Sequence, residues 1–228
     1  MREIDRATEA DYGISPLQLM EVAGLATARV ARNLIGSPLT GRRVCILAGP
    51  GNNGADGLVA ARRLAGWGAN VAVLTSYRID EARGLSATQL RPAEATGVPV
   101  AEWDGEVPAA ELLIDALLGF GASGAPRATI ATMIGAAVDS GAPVLALDIP
   151  SGLDAATGVA LGACIVATAT VTLALPKTGL LAPPARQFVG RLFLADIGVP
   201  NALLEHLGIS IDGIFAGDDI VEIEPGGS

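Results

Sequence analysis

Short apolar stretches alternate along the chain with longer segments whose apolar residues recur at helical spacing. Six of the short stretches are almost continuous in Val, Ile, Leu and Ala, a composition typical of strands that are covered on both faces. We predict strands at residues 44–48, 71–75, 112–116, 144–147, 170–174 and 192–195. Each stretch has the length of a buried strand, and helix-length segments separate most of them.

The first long amphipathic segment opens with Ser15-Pro16-Leu17-Gln18, which predicts a capping box with proline at the first helical position. Apolar residues then recur as far as Leu34, and Gly36 predicts the end of this helix. We expect further helices from about Ala55, over residues 82–95 and 128–140, and around the single histidine, His206, which we place at the surface.

Strands that alternate with helices of this length predict right-handed βαβ units and a doubly wound sheet. The predicted fold class is α/β: a three-layer αβα, Rossmann-like domain built around a mostly parallel sheet. In such sheets ligands bind beyond the carboxyl ends of the strands. The residues that follow each strand are therefore the candidates for a functional site.

The amino-acid composition excludes several classes of function. With 228 residues, 50% of them hydrophobic, the chain is long enough for one sizeable core. The net charge of −9 comes without a cluster of Lys and Arg, so we expect no nucleic-acid partner. The sequence has no uninterrupted apolar run long enough for a membrane span. Two cysteines in apolar surroundings, Cys45 and Cys164, are typical of reduced thiols, and we expect a cytoplasmic location.

The first predicted strand is followed by Gly49-Pro-Gly-Asn-Asn-Gly-Ala-Asp-Gly57, a glycine-rich loop ahead of a helix. Such a loop brings backbone amides close to a phosphate. It lacks the lysine of nucleotide-hydrolysing loops, which disfavours ATP hydrolysis. An NAD-linked oxidoreductase would carry an acid at the end of the second strand, but the nearest one here is Asp80. A tight turn without a ligand stays open as an alternative.

Polar residues also follow three later strands. The acid Asp115 precedes a second glycine-rich loop, Asp148 and Ser151 follow the fourth strand, and Lys177 follows the fifth. Each has an ordinary explanation on its own, such as helix capping or solvation. Because the carboxyl ends of parallel strands share one edge, we expect these side chains to surround a common cleft.

These segments together resemble one known family, the NAD(P)H-hydrate epimerases, or YjeF N-terminal domains. The matching segments follow the family's order over about residues 1–205. They are Leu19-Met-Glu-Val-Ala-Gly24, Gly51-Asn-Asn-Gly-Ala-Asp-Gly57, Asp115-Ala-Leu-Leu-Gly-Phe-Gly121, Asp148-Ile-Pro-Ser-Gly-Leu-Asp154, Pro176-Lys-Thr-Gly-Leu180 and Asp196-Ile-Gly-Val-Pro200.

The resemblance implies an isomerase of metabolite repair that interconverts the R and S forms of hydrated NADH and NADPH. It implies a potassium ion held by Asn53, Asp115 and Ser151, whose oxygens suit a hard cation. The substrate site implied by the family comprises Asn52, Asn53, Gly54, Ala55, Asp56, Gly119, Phe120, Gly121, Ala122, Ser123, Gly124, Ala125 and Asp148. The family also implies a homodimer and a dehydratase, either as a partner or as a fused domain.

Epimerisation requires the hydroxyl on the nicotinamide-derived ring to leave and to return on the other face. We expect Asp148 to stabilise the cation formed and to take part in proton transfer, with Lys177 as a second proton carrier. A non-catalytic nucleotide-binding or protein-interaction module of the same fold is the alternative. The family usually has glycine at Ala55 and often Asn at Val22, and alanine is strained if position 55 needs a positive φ.

The predicted domain covers residues 1–210. Residues 211–228 are acidic, and we predict that they form a tail or the start of an inter-domain linker.

Overall fold

The computed structural model describes residues 2–211 and 213–223 of the chain. Eight strands form one sheet in the order β3-β2-β1-β4-β5-β6-β7-β8, and every pairing is parallel except that of β7 with β8. The strands are β1 (Arg43–Ala48), β2 (Asn70–Thr75), β3 (Val100–Glu102), β4 (Leu112–Ala116), β5 (Val144–Leu147), β6 (Ala169–Leu173), β7 (Arg191–Ala195) and β8 (Ile220–Ile223).

Eight α-helices connect or flank these strands in the described residues. They are α1 (Arg2–Tyr12), α2 (Pro16–Ile35), α3 (Asn52–Gly66), α4 (Gly84–Ala95), α5 (Ala128–Asp139), α6 (Thr178–Leu181), α7 (Arg186–Val189) and α8 (Asn201–His206). Short 3₁₀ turns occur at Ile79–Glu81 and Pro183–Ala185. None of the helices in the described part of the chain is long and apolar enough to cross a membrane.

The sheet confirms all six predicted strands, with ends that differ by one residue at most. The capping box of α2 is present, since the Ser15 side chain accepts from the Gln18 amide and the Gln18 side chain reaches back. The helix after the glycine loop begins at Asn52, three residues earlier than predicted. The sequence patterns did not predict α1, β3, β8 or the four-residue helices α6 and α7.

Helices cover both faces of the sheet, which explains the continuous apolar strands. Alternate residues of one strand point to opposite faces. Val44 and Ile46 of β1 belong to the larger core cluster, which includes α2 and α3 residues. Cys45 and Leu47 belong to a second cluster that includes Met133 of α5. The predicted three-layer αβα architecture is confirmed.

The strand order reverses between β1 and β4, because the chain first builds outwards through β2 and β3 and then returns to the other side of β1. This reversal opens a crevice at the carboxyl ends of β1 and β4, the usual ligand position in doubly wound folds. The register places Leu47 beside Asp115, so the glycine loop and the Asp115 turn leave the sheet at the same level.

Residues 211–228, predicted to form a tail or linker, contain β8, which pairs antiparallel with β7. Asp219 of this segment forms an ion pair with Arg29 of α2. The described part of the segment therefore packs on the domain, and its assignment as a linker stays a prediction.

Candidate active site

The glycine loop after β1 is packed tightly against itself and against the turn after β4. A Cβ atom at Gly49 would lie 1.8 Å from the Leu117 carbonyl oxygen, and one at Gly54 would lie 1.9 Å from the Gly49 carbonyl oxygen. A Cβ at Gly51 would meet open space. Gly49 and Gly54 are thus required by the close approach of two backbones, while Gly51 leaves room at the start of α3.

A cavity of about 460 Å³ lies at this crevice. Nine predicted site residues line it: Asn52, Asn53, Asp56, Gly119, Phe120, Gly121, Ala122, Asp148 and Lys177. Apolar residues that we did not predict complete its wall, among them Leu19, Met20 and Ala23 of α2. These three match the helical pattern of α2, which is equally consistent with ordinary core packing, and only the tertiary structure shows that they border a cavity.

Several other residues predicted to bind substrate do not line this cavity. Gly54 and Ala55 are buried in the first turns of α3, where Ala55 packs against Met20 and Val59. Ser123, Gly124 and Ala125 are exposed on the second glycine loop. Ala55 is helical and does not have a positive φ, so the alanine is not strained. His206 is exposed at the end of α8, as we expected, and is absent from the lining.

Asp148 and Lys177 form a buried ion pair inside the cavity. Each side chain is only 5% exposed. The Lys177 ammonium also donates to the Thr172 hydroxyl at 3.1 Å and to the Leu173 carbonyl at 2.9 Å. The second carboxylate oxygen of Asp148 accepts from the Phe120 amide at 3.1 Å. Sequence reasoning placed the two residues at adjacent strand ends, and the structure brings their side chains into contact.

The backbone of Asp148 has a φ of +69°, which lies in the left-handed region. Few residues other than glycine adopt this conformation, and Asp and Asn are among those that do so most often. The turn directs the carboxylate towards the cavity, where it meets Lys177 and the second glycine loop. Position 148 thus needs a residue that tolerates a positive φ and that also carries a carboxylate.

Two further carboxyl groups border the same cavity. Asp56 of α3 is 9% exposed, and burial raises its pKa well above the usual value, with a further contribution from the negative charges of Asp148 and Asp5. Partial burial also raises the pKa of Asp5 of α1. Asp5 was not predicted, because α1 itself was not predicted and no motif marks the residue. Three carboxyl groups and one ammonium therefore surround this cavity.

The predicted potassium ligands lie around the turn that follows β4. Asp115 is fully buried; one of its oxygens accepts from the Ser151 hydroxyl at 2.6 Å and the other from the Ser151 amide at 2.7 Å. The Ser151 hydroxyl oxygen in turn accepts from the Leu118 amide at 2.9 Å. A Cβ atom at Gly119 would lie 3.3 Å from the Asn53 side-chain oxygen. Asp115 and Ser151 are thus in direct contact, and the Asn53 side chain lies beside Gly119 in the turn that follows β4.

The chemistry of these groups fits a hard monovalent cation. Each of them can offer an oxygen atom, while the Asn53 amide nitrogen donates to the Leu147 carbonyl. Asp115 has no positively charged side-chain partner among the described residues. Burial raises the pKa of Asp115 to about 6, despite the opposing hydrogen bonds from Ser151 and Leu117. A cation beside Asp115 would favour its ionised form. In the described residues, no cluster of His, Cys, Asp and Glu suggests a transition-metal site.

Known proteins resemble the chain over nearly its whole length. It is 38% identical over 216 residues to the NAD(P)H-hydrate epimerase of Dehalogenimonas lykanthroporepellens, covering 92% of this chain and 84% of that protein. It is 38% identical over 213 residues to the bifunctional NAD(P)H-hydrate repair enzyme Nnr of Moorella thermoacetica, covering 90% of this chain but only 40% of the enzyme. The chain thus spans about two-fifths of the length of that bifunctional relative.

A crystal structure of the yeast protein YNL200c superposes with a TM-score of 0.82 at 25% identity and covers 97% of this chain and 96% of the yeast chain. The family model described as YjeF-related protein N-terminus matches residues 16–179, which include the cavity residues from Pro16 to Lys177. On sequence and fold together, the chain belongs to the family of YjeF-related protein N-terminal domains.

Proposed function

We propose that the chain epimerises hydrated NADH and NADPH, interconverting their R and S forms. The observation that carries this proposal is the buried Asp148–Lys177 pair at the wall of a cavity that also borders the start of α3. The relatives named NAD(P)H-hydrate epimerase support it, since they share 38% and 39% identity with the chain over 84% and 91% of their own length.

Electrostatics suggest how the substrate lies. The first amides of α3, from Asn52 onwards, have no partner within the helix and favour a phosphate. The Asp148 carboxylate would repel a diphosphate but attract a ring that becomes cationic. We therefore place the diphosphate at the start of α3 and the hydrated ring beside Asp148.

The chemistry follows from that placement. The ring nitrogen donates its lone pair as the C–O bond to the hydroxyl breaks, and the oxygen keeps the bonding pair, takes one proton from an acid of the site and departs as water. The Asp148 carboxylate stabilises the resulting iminium cation electrostatically. Water then adds to the opposite face, the π electrons return to nitrogen, and the released proton is taken up by the site. No net oxidation occurs.

For the cation we keep potassium, held by Asn53, Asp115 and Ser151. When bound, the ion would supply positive charge that offsets the substrate diphosphate. The Asp115 carboxylate, the Ser151 hydroxyl and the Asn53 amide oxygen would hold it beside the 117–119 segment. We propose both the identity of the ion and the role of each of these residues.

The proposed setting is cytoplasmic, in line with the two free thiols, Cys45 and Cys164. A homodimer and a dehydratase partner or fused dehydratase domain also stay predictions. The alternative, a non-catalytic binding or interaction module, is disfavoured because such a module gains nothing from a desolvated ion pair at the wall of a cavity.

The direct test starts with one purified epimer of hydrated NADPH or NADH. The other epimer is followed by chromatography, with and without potassium, in wild-type protein and in Asp148→Asn. We expect conversion well above the spontaneous rate in wild type and a rate about 10²–10³-fold lower in the variant. Conversion by the wild type no faster than the blank with both hydrates would overturn the proposed function.

A further inference from the structure

The proton carrier of the reaction is still to be identified, because the ammonium of the buried ion pair is fully engaged in hydrogen bonds and the carboxylate is held by the ammonium. An ammonium group has three N–H donors. Those of Lys177 are directed to Asp148, to the Thr172 hydroxyl and to the Leu173 carbonyl. Each oxygen of Asp148 also has a donor, Lys177 for one and the Phe120 amide for the other. Lys177 therefore has no N–H left for the substrate, and each oxygen of Asp148 already accepts one hydrogen bond, so the two side chains are held as a charge pair.

Asp56 is the buried acid of the cavity that this network does not use. It lies in α3, one turn beyond Asn53, and is 9% exposed. Among the side chains that the structure describes, none forms a hydrogen bond or ion pair with its carboxyl group. Its oxygens are thus available to a molecule in the cavity.

The charges that face Asp56 come from three different elements. Burial opposes ionisation of Asp56 most strongly, and the negative charges of Asp148, which follows β5, and Asp5, which belongs to α1, oppose it further. Lys177, which follows β6, favours ionisation, but this effect is the smallest of the four. Asp56 is therefore held in its protonated form to a higher pH than an ordinary carboxyl group.

The position of Asp56 is fixed by close packing between two helices. A Cβ atom at Gly24 of α2 would lie 2.4 Å from the Val59 Cβ and 2.9 Å from the Asp56 carbonyl oxygen. Only glycine at position 24 lets α2 approach α3 this closely. Leu19 and Met20 of α2 line the same cavity as Asp56.

We propose that Asp56 is the acid and base of the epimerisation, protonating the leaving hydroxyl and recovering the proton from the water that returns. In the first step the C–O bond breaks, oxygen takes the bonding pair and the Asp56 proton, and the ring nitrogen forms the C=N bond. In the second step water forms the new C–O bond, the π pair returns to nitrogen, and Asp56 takes the surplus proton. This inference rests on the proposed function and assigns separate roles within it: Asp148 and Lys177 supply charge, and Asp56 transfers the proton.

The test compares wild type with Asp56→Asn and with Asp139→Asn, which removes an exposed carboxylate from α5 outside the cavity lining. We expect Asp56→Asn to lower kcat about 10²–10⁴-fold with a KM close to that of wild type, and Asp139→Asn to leave both unchanged. The wild-type rate should fall as pH rises, since Asp56 must start protonated, and the residual rate of Asp56→Asn should lack that fall. A structural role alone would not remove it.

A second readout does not depend on activity. Because the folded-state pKa of Asp56 lies above the unfolded value of 3.8, the folded protein loses stability as pH rises from that value through the folded pKa. Asp56→Asn removes this loss, so its Tm should exceed that of wild type by a margin that grows from pH 4 to pH 8. If the wild type is active and the kcat of Asp56→Asn lies within about threefold of the wild-type value, the inference is overturned and the proposed function stands. Inactive wild type would overturn both.

Discussion

Replacing Lys177 by Met would leave the buried carboxylate of Asp148 without its ammonium partner. Methionine has nearly the same length and no charge, so it tests the ion pair without opening a large cavity. The Phe120 amide would be the remaining donor to the carboxylate. The two lost bonds to Thr172 and Leu173 would also free a hydroxyl and a carbonyl group.

The expected cost follows from burial, since both side chains of the pair are 5% exposed. Removing one partner of a buried ion pair typically lowers the free energy of unfolding by about 3–5 kcal/mol. For a chain of this size each kcal/mol shifts Tm by about 2–4 °C. Lys177→Met should therefore melt about 6–20 °C below wild type.

The double variant Asp148→Asn/Lys177→Met removes both charges at once. Asparagine suits position 148, because it tolerates the positive φ of this residue and can still accept from the Phe120 amide. We expect the double variant to recover much of the stability lost by Lys177→Met, since no isolated charge remains buried. The exposed pair of Arg191 with Glu222 provides the control, and Arg191→Met should shift Tm far less.

The assay is thermal and urea unfolding of wild type, the two single variants and the double variant at one pH and salt concentration. A coupling energy of about 2 kcal/mol or more between the two positions is expected if the charges interact in a desolvated site. Additive effects, or a Lys177→Met protein as stable as wild type, would refute the reasoning that the pair is held together by mutual charge compensation.

Two further predictions concern the helix contact and the cation site. In Gly24→Ala the new methyl group would overlap Val59, so we expect a loss of about 1–3 kcal/mol in unfolding free energy, whereas Gly135→Ala, where a Cβ meets open space in α5, should gain about 0.5–1 kcal/mol. Unfolding curves that shift equally for both would contradict the packing argument. In Ser151→Ala a ligand oxygen of the proposed potassium site is lost, so the potassium concentration for half-maximal activation should rise about tenfold or more. The exposed Ser140→Ala is its control, and an identical potassium requirement in both variants would remove Ser151 from the site.

The framework of the fold was predictable because it depends on local pattern. Strands buried on both faces are continuous in apolar residues, so β4 and β5 were predicted to the residue. The three-residue β3 and the four-residue β8 lie at the sheet edges and are largely solvent-accessible, so burial did not constrain their sequence. Helix α1 buries only a narrow stripe that includes Ile4, Ala7 and Thr8, and most of its residues are polar, so it lacks the many apolar positions that mark α2.

The site was predictable only as far as strand ends reveal it. Sequence could place Asp148 and Lys177 at neighbouring strand ends, but not the contact between them or the three acceptors of the ammonium. Asp56 was predicted as a substrate contact within a motif, while its raised pKa depends on burial, on Asp148 and on Asp5, which reaches the cavity from a remote helix. Such charge coupling arises from tertiary packing and has no local signature.

The left-handed backbone at Asp148 limits what mutagenesis or selection can achieve at this codon. Glutamate would retain the acidic function but is disfavoured at a positive φ, whereas asparagine and glycine suit the backbone and lack the carboxylate. A saturation library at position 148 should therefore divide into well-folded members without charge and charged members that fold poorly. Aspartate alone meets both requirements, so new activities on this scaffold are more accessible through the apolar wall of α2 than through its central acid.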